Sequence, residues 1–366
     1  MEKAKVKNKK SILDMILGLS PVVGACVGIL AGACFVTLWG VNPVTFFVEL
    51  VKGAFGNRLA IGGTLNNAAP LLVAGAGTAI AFKAGANNIG QEGQLFTGGL
   101  AAAVIALMMP ALPRAIGIPS ILLLSFVFGM IFVSIAVFFR LVKGVNELLI
   151  TLLLNYIGKL FVSAMVNGPF KSETNVSFPQ TDTFGSQFLL KNWPQMGYMH
   201  TGIFLALVVI AVAGYYIWCT PAGLRIRTAG LSPMASKTAG NNPTKLFILA
   251  MLISGGLCGM AGGIEVIGRS DCLRQGFGEN LGFEALAVAL LGGTNPLGVL
   301  PAGLFFGALK AGMQSMQRSL GIPSALLDLI KGAIMISIVV GNAIKVHIRN
   351  SSRKKSLKKK QERGED

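Results

Sequence analysis

The chain is 366 residues long, 53% hydrophobic and only 13% charged, with a mean hydropathy of +0.66. Soluble domains carry about 25% charged residues, so this composition excludes an ordinary soluble enzyme and selects a polytopic membrane protein. The net charge of +17 does not mark a nucleic-acid binder, because it gathers at the two ends, where basic residues favour the cytoplasmic side and anionic headgroups.

The first apolar run, 20–39, contains VVGAC ending at Cys26 and so resembles a lipoprotein signal. Asp14 and Pro21 interrupt what precedes it and apolar sequence continues through Trp39, which predicts a first membrane helix instead. The stretch NPVTFFVELVKGAF at 42–55 puts Phe46, Phe47, Leu50, Val51 and Phe55 near one helical face, as in a helix lying along the membrane surface. Further spans of roughly the 20 residues a bilayer requires are expected at 60–82, 94–113, 116–139, 147–167, 201–219, 246–267, 282–295, 297–316 and 323–344. The fold class is therefore all-α, with about ten transmembrane helices. Gly292-Gly-Thr-Asn-Pro-Leu-Gly298 breaks the eighth, short span from the ninth, and such interruptions often line a transport pathway.

Between the second and third spans stands KAGANNIGQEGQL, residues 83–95. Gly85 and Gly90 have the spacing of a phosphate loop, but Gln91 and Glu92 occupy the positions of its Lys and Ser/Thr, and a carboxylate would repel a triphosphate. The glycines instead suit a tight, closely packed break, and Asn88, Glu92 and Gln94 suit the capping of helix ends.

Two other segments leave the membrane. Residues 168–200, with Trp193 and Tyr198, form an outer loop that suits either a docking surface or a solvated linker. Residues 220–245 form an inner loop punctuated by Pro221, Pro233 and Pro243. Ser232-Pro233 starts a helix and Gly240-Asn241 ends it, which predicts one short helix over 233–239. With both termini inside, 21 Lys and Arg fall on the cytoplasmic side and 8 outside, while Lys159, Lys310 and Lys331 lie near or within spans. The chain thus divides into a basic cytoplasmic segment 1–19, a membrane domain 20–344 and a basic cytoplasmic tail 345–366.

Hydrolytic and metal chemistry find little support. His200 and His347 lie near opposite membrane faces, and the five cysteines form no CxxC pair. Cys26, Cys34, Cys219 and Cys258 lie in apolar runs and read as small hydrophobes in helix packing. A carboxylate at a helix centre costs about 2.5–3.5 kcal/mol. Glu147, Glu265, Glu284 and Asp328 all fall near span ends, with Asp328 and Lys331 spaced to pair. Neutral amides line a path at lower cost, so Asn66, Asn67, Asn88, Asn155 and Asn295, with Glu92 and Gln94, are the translocation-path candidates, interhelical bonding being their alternative role. Such a chain could also be an ion-gradient-driven secondary transporter of a small polar solute, though that class favours an acid at mid-membrane.

The run PLLVAGAGTAIAFKAGANNIGQEGQLFTGGL at 70–100 resembles the permease subunits of bacterial nucleoside and simple-sugar ABC importers, relatives of the branched-chain amino acid permeases. The stretches at 220–242, 254–266 and 278–309 are similar to the same family, in the same order. The resemblance implies a translocation pathway for nucleosides or simple sugars in a bacterial cytoplasmic membrane, no catalysis by this chain and no cofactor bound to it. ATP and Mg would belong to a separate cytoplasmic ABC ATPase. It further implies a second homologous permease subunit and an extracytoplasmic substrate-binding lipoprotein. The ATPase-coupling region of the family falls on Gly230, Ser232, Pro233, Ala235, Thr238, Ala239, Gly240 and Asn241. Two departures stand out: an extra Asn in Ala86-Asn87-Asn88, and Leu231-Ser232 in place of a more usual acidic-Asn type pair.

Overall fold

The computed structural model describes residues 21–173 and 178–361. The basic segment 1–19 lies outside the described residues, as do the side chains of most of the tail, His347 among them.

The described chain is almost wholly helical. Helices α1 (Pro21–Leu38), α2 (Pro43–Phe55), α3 (Arg58–Lys83), α4 (Gln91–Met108), α5 (Arg114–Lys143) and α6 (Glu147–Asn167) come first. A segment with a hairpin of two-residue strands follows, β1 (Asn192–Trp193) against β2 (Met199–His200). Then come α7 (Gly202–Cys219), α8 (Pro221–Leu231), α9 (Pro233–Thr238), α10 (Pro243–Arg269), α11 (Leu281–Leu291), α12 (Pro296–Leu320) and α13 (Ser324–Gln361). Eight of these helices are long and apolar enough to cross a membrane. The other two expected spans are α4, which carries the polar QEGQ start, and α11, only 11 residues long. The last helix runs on to Gln361, well past the expected span end at 344.

Two compact units emerge, residues Glu49–Ser315 and the chain ends, Met1–Val48 with Met316–Asp366. In the larger unit α10 is the hub, packed on α3, α4 and α5. Lipid is as apolar as leucine, so close backbone approach rather than hydrophobic burial drives helices together, and glycine permits it. A Cβ on Gly259 of α10 would stand 2.9 Å from the Gly129 backbone of α5, and one on Gly98 of α4 would meet Gly259. The Ser125 hydroxyl donates to the Gly98 carbonyl at 2.8 Å in the same crossing. In the smaller unit, Gly24, Gly28 and Gly32 of α1 follow at i, i+4 and i+8. They face Ser337, Ile334 and Ile330 of α13, an antiparallel fit.

Three expectations change. Helix α2 is apolar on two faces: Phe46 and Ala54 are buried, while Val44, Val48, Val51 and Phe55 are exposed along the other side. Five apolar residues within 3.6-residue periodicity had looked like one stripe. Among the cysteines of apolar runs, only Cys258 packs inside; Cys26, Cys34 and Cys219 are exposed on helix surfaces. The outer segment is no solvated linker, since Phe184, Phe188 and Leu190 are buried. Its backbone bonds to the end of α10 through Leu190 N to Ile267 O at 2.9 Å, and to the stretch after it through Thr181 N to Leu273 O at 3.0 Å.

The lysines near or within spans all find carboxylates: Lys159 with Glu279, Lys310 with Glu284 at 3.3 Å and Lys331 with Asp328 at 2.7 Å. Glu147, at the start of α6, pairs with Arg140. Opposite charges so placed offset a desolvation cost that neither would bear alone.

Candidate functional site

The break between α3 and α4 is irregular backbone enclosed by protein, the condition under which a membrane domain tolerates it. Gly85, at φ +74°, turns the chain in a left-handed conformation that suits glycine. Asn88 is fully buried and binds four ways: it accepts from Gly90 N at 2.9 Å and Gln94 Nε2 at 3.0 Å, and donates to Gln94 Oε1 and Ser254 Oγ, both at 3.0 Å. Asn155 reaches across from α6, accepting from Gly93 N at 3.0 Å and donating to Ile89 O at 2.8 Å. Gln91 donates to Asn88 O and Thr78 Oγ1. The loop's amides therefore replace water as partners for its own backbone.

Glu92 caps a helix, though not its own. Its two oxygens accept from Asn280 N at 2.6 Å and Gly282 N at 2.7 Å, the first donors of the short helix α11. A carboxylate there satisfies orphan N–H groups and meets the positive end of the helix dipole. Gly282 is small because a Cβ would strike the Glu92 backbone. The two interrupted segments of the sequence are thus joined start to start.

At the other end of α11, Gly293 and Thr294 both have positive φ, the latter a strained conformation for a β-branched residue. Asn295 accepts from Trp218 Nε1 at 2.9 Å. That same indole carries the Arg227 guanidinium at 4.5 Å and the Lys83 ammonium at 5.8 Å from its ring centroid. Trp218 so connects the end of α3, helix α8 and the linker before α12.

Helices α8 and α9 present the inner segment. Thr220 caps α8 through Gly223 N, Ser232 caps α9 through Ala235 N at 3.3 Å, and Asn242 caps α10 through Lys245 N at 3.1 Å. Gly240, at φ +80°, closes α9, with Asn241 N returning to Ser236 O at 3.0 Å. Pro233, Ala235, Thr238, Ala239 and Gly240 are exposed, while Ser232 and Asn241 are half-buried. Gly230 turns inward instead, its Cα 3.4 Å from where a Cβ on Gly85 would sit. Leu231 is 83% exposed and Met234 76%, large apolar side chains on a short-helix segment between α7 and α10. Sequence reasoning passed over Met234, whose signal would have been an apolar side chain three residues from Leu231.

At the opposite end of α3 from the break, Asn66 holds the hairpin, donating to Tyr198 O at 3.0 Å and accepting from His200 N at 2.9 Å. Asn67 accepts from Arg269 Nη1 at 2.9 Å, and Arg269 also binds Glu265 at 3.1 Å. His200 is fully buried; burial foremost, then the Arg269 charge, lowers its pKa to about 4. Beside these residues lies a cleft of about 460 Å³ between the outer segment and the end of α10. The path candidates therefore fall into three groups: Asn88, Glu92, Gln94 and Asn155 at the enclosed break, Asn66 and Asn67 at the outer end, Asn295 at the linker. All seven engage protein groups in this conformation.

A family model described as branched-chain amino acid transport system / permease component matches residues 60–339. The chain belongs to that family. This permease is also similar over nearly its whole length to individual transporters. It is 30% identical to the nucleoside ABC transporter permease protein NupB of Lactococcus lactis, across 95% of this chain and 97% of the relative. It is 28% identical to the guanosine ABC transporter permease protein NupP of Bacillus subtilis, across 89% and 94%. With the glucose ABC transporter permease protein TsgB13 of Haloferax volcanii it shares 27% identity, across 89% and 88%. The permease is thus a multi-pass transport subunit of an ABC importer in the cytoplasmic membrane.

Proposed function

We propose that this permease moves nucleosides inward as one of two homologous permease subunits, powered by a separate cytoplasmic ABC ATPase that binds ATP and Mg, and supplied by an extracytoplasmic binding lipoprotein. The observation that carries the ATPase coupling is α9: a capped helix with Leu231 and Met234 exposed beside it, anchored through Gly230 to the end of α3 and through Arg227 to Trp218. A small apolar projection on a basic segment suits a groove on a partner. Closure of the ATPase would shift the balance between outward-open and inward-open states by differential contact with this segment. The names of two relatives, nucleoside and guanosine permeases, support the substrate class. The second subunit is supported by a further similar permease in each organism, NupQ in Bacillus subtilis and, over a shorter stretch, NupC in Lactococcus lactis.

Replacing residues 230–241 by a Gly/Ser linker tests the coupling. Uptake and transport-stimulated ATP turnover should both vanish while the external protein still binds solute; retained uptake would overturn the proposal. Uptake of labelled nucleosides against labelled pentoses by the reconstituted complex tests the substrate. A glucose permease among the relatives makes sugars the second reading, and transport of pentose alone would select it.

A further inference from the structure

The outer cleft holds an acceptor with nothing to accept. Glu265 is 8% exposed, and its Oε1 is engaged by Arg269 while Oε2 has no hydrogen-bond partner. A buried carboxylate oxygen left unmade is costly, and here it borders a cavity of about 460 Å³, within the range of small-molecule sites. Arg269 is itself fixed by Asn67 at 2.9 Å, so the carboxylate cannot simply turn away with its partner.

The surroundings specify the chemistry of the missing donor. Arg269 already pairs with Glu265, so the idle oxygen calls for a hydrogen-bond donor rather than a further cation. Amides of Gln180 and Gln275 line it, offering donors and acceptors. Two aromatic rings complete the wall: Phe178, 52% exposed, and Phe277, held edge-on against Phe96 at 5.2 Å. Neutral hydroxyl donors beside a stackable face meet these requirements together.

We propose that this cleft is a transit site for an uncharged polyhydroxylated solute, with Glu265 accepting from its hydroxyls and thereby setting specificity on the permease itself. The assignment rests on the import reading above. The unpartnered oxygen is covered in this conformation, so the hydroxyl enters as the cleft opens. Two sources share the chemistry, the ribose of a nucleoside and a free pentose; Phe178 and Phe277 add stacking only for the nucleoside base.

The test uses the assembled transporter in proteoliposomes with solute-saturated binding protein. Uptake of labelled guanosine and of ribose is compared with uptake of their deoxy counterparts, for wild type and Glu265→Gln. The ratio of hydroxylated to deoxy uptake should fall about tenfold in the variant, the scale of one hydrogen bond to a charged group. If Glu265→Gln does not assemble, Glu265→Asp, which withdraws the oxygens by one methylene, reads the same ratio. Phe178→Ala should reduce guanosine uptake and spare ribose; a ratio shift seen with ribose alone keeps the site while the nucleoside reading falls. Equal losses on hydroxylated and deoxy solutes mean a purely structural carboxylate, and an unchanged ratio means a cleft holding only water. A raised half-saturating concentration of binding protein at unchanged ratio means a docking surface. Each of these three results, or a wild type that imports neither solute, overturns the proposal.

Discussion

The break at 84–94 and the segment at 220–242 are both rich in Gly, Ala and Asn, yet they do opposite things. In the first, Asn88, Gln94 and Asn155 are buried and bonded to one another and to the backbone around them. In the second, the caps Thr220, Ser232 and Asn242 fold the chain into short helices and leave Leu231 and Met234 facing outward. The difference lies in what replaces water. An enclosed polar loop draws most of its hydrogen-bond partners from its own side chains, whereas an exposed one spends its side chains on helix ends.

Breaking the enclosed side should cost most. Asn88→Leu strands Gly90 N–H, Gln94 and the Ser254 hydroxyl, and should lower stability by about 3–5 kcal/mol, read as loss of folded protein in detergent thermal shifts. A preserved melting temperature would show that the loop tolerates the gap. His200 tests a buried group whose Nε2 lacks a partner. Its folded pKa of about 4 lies below the usual 6.5, so the folded state resists a proton that the unfolded chain accepts. Its contribution is fully present above pH 6.5 and is lost as pH falls toward 4, by about 3 kcal/mol in all. The slope of stability against pH across that window should flatten in His200→Gln; an unchanged slope would place the titration elsewhere. The smallest stability effect belongs to the exposed side. Leu231→Ser with Met234→Ser should alter stability by no more than about 0.5 kcal/mol while abolishing coupled ATP turnover. Wild-type turnover in that pair would remove the contrast on which the coupling reading stands.

Sequence carried the helices because a bilayer demands long apolar runs, and it carried the ends of α9 because Ser-Pro and Gly-Asn have local meanings. It also paired Asp328 with Lys331, three residues apart on one helix. What escaped it was distant. Glu92 looks like a cap for α4 until the fold brings Asn280 and Gly282 to it. Asn66, Asn67 and Asn155 read alike as amides in apolar runs, yet they hold a hairpin, an arginine and a loop respectively. The two faces of α2 were unreadable because both are apolar, and in a membrane protein apolarity no longer distinguishes inside from outside. Glu265 shows the same limit: nothing in IEVIGR announces a carboxylate with one oxygen idle.

The glycine ladder of α1 has a bearing on how the molecule is made. Gly24, Gly28 and Gly32 match residues of α13, so α1 finds this mate only after every helix between them has been made. A chain cut short before Ile330 cannot close that contact, which makes the α1–α13 seam a late step of assembly.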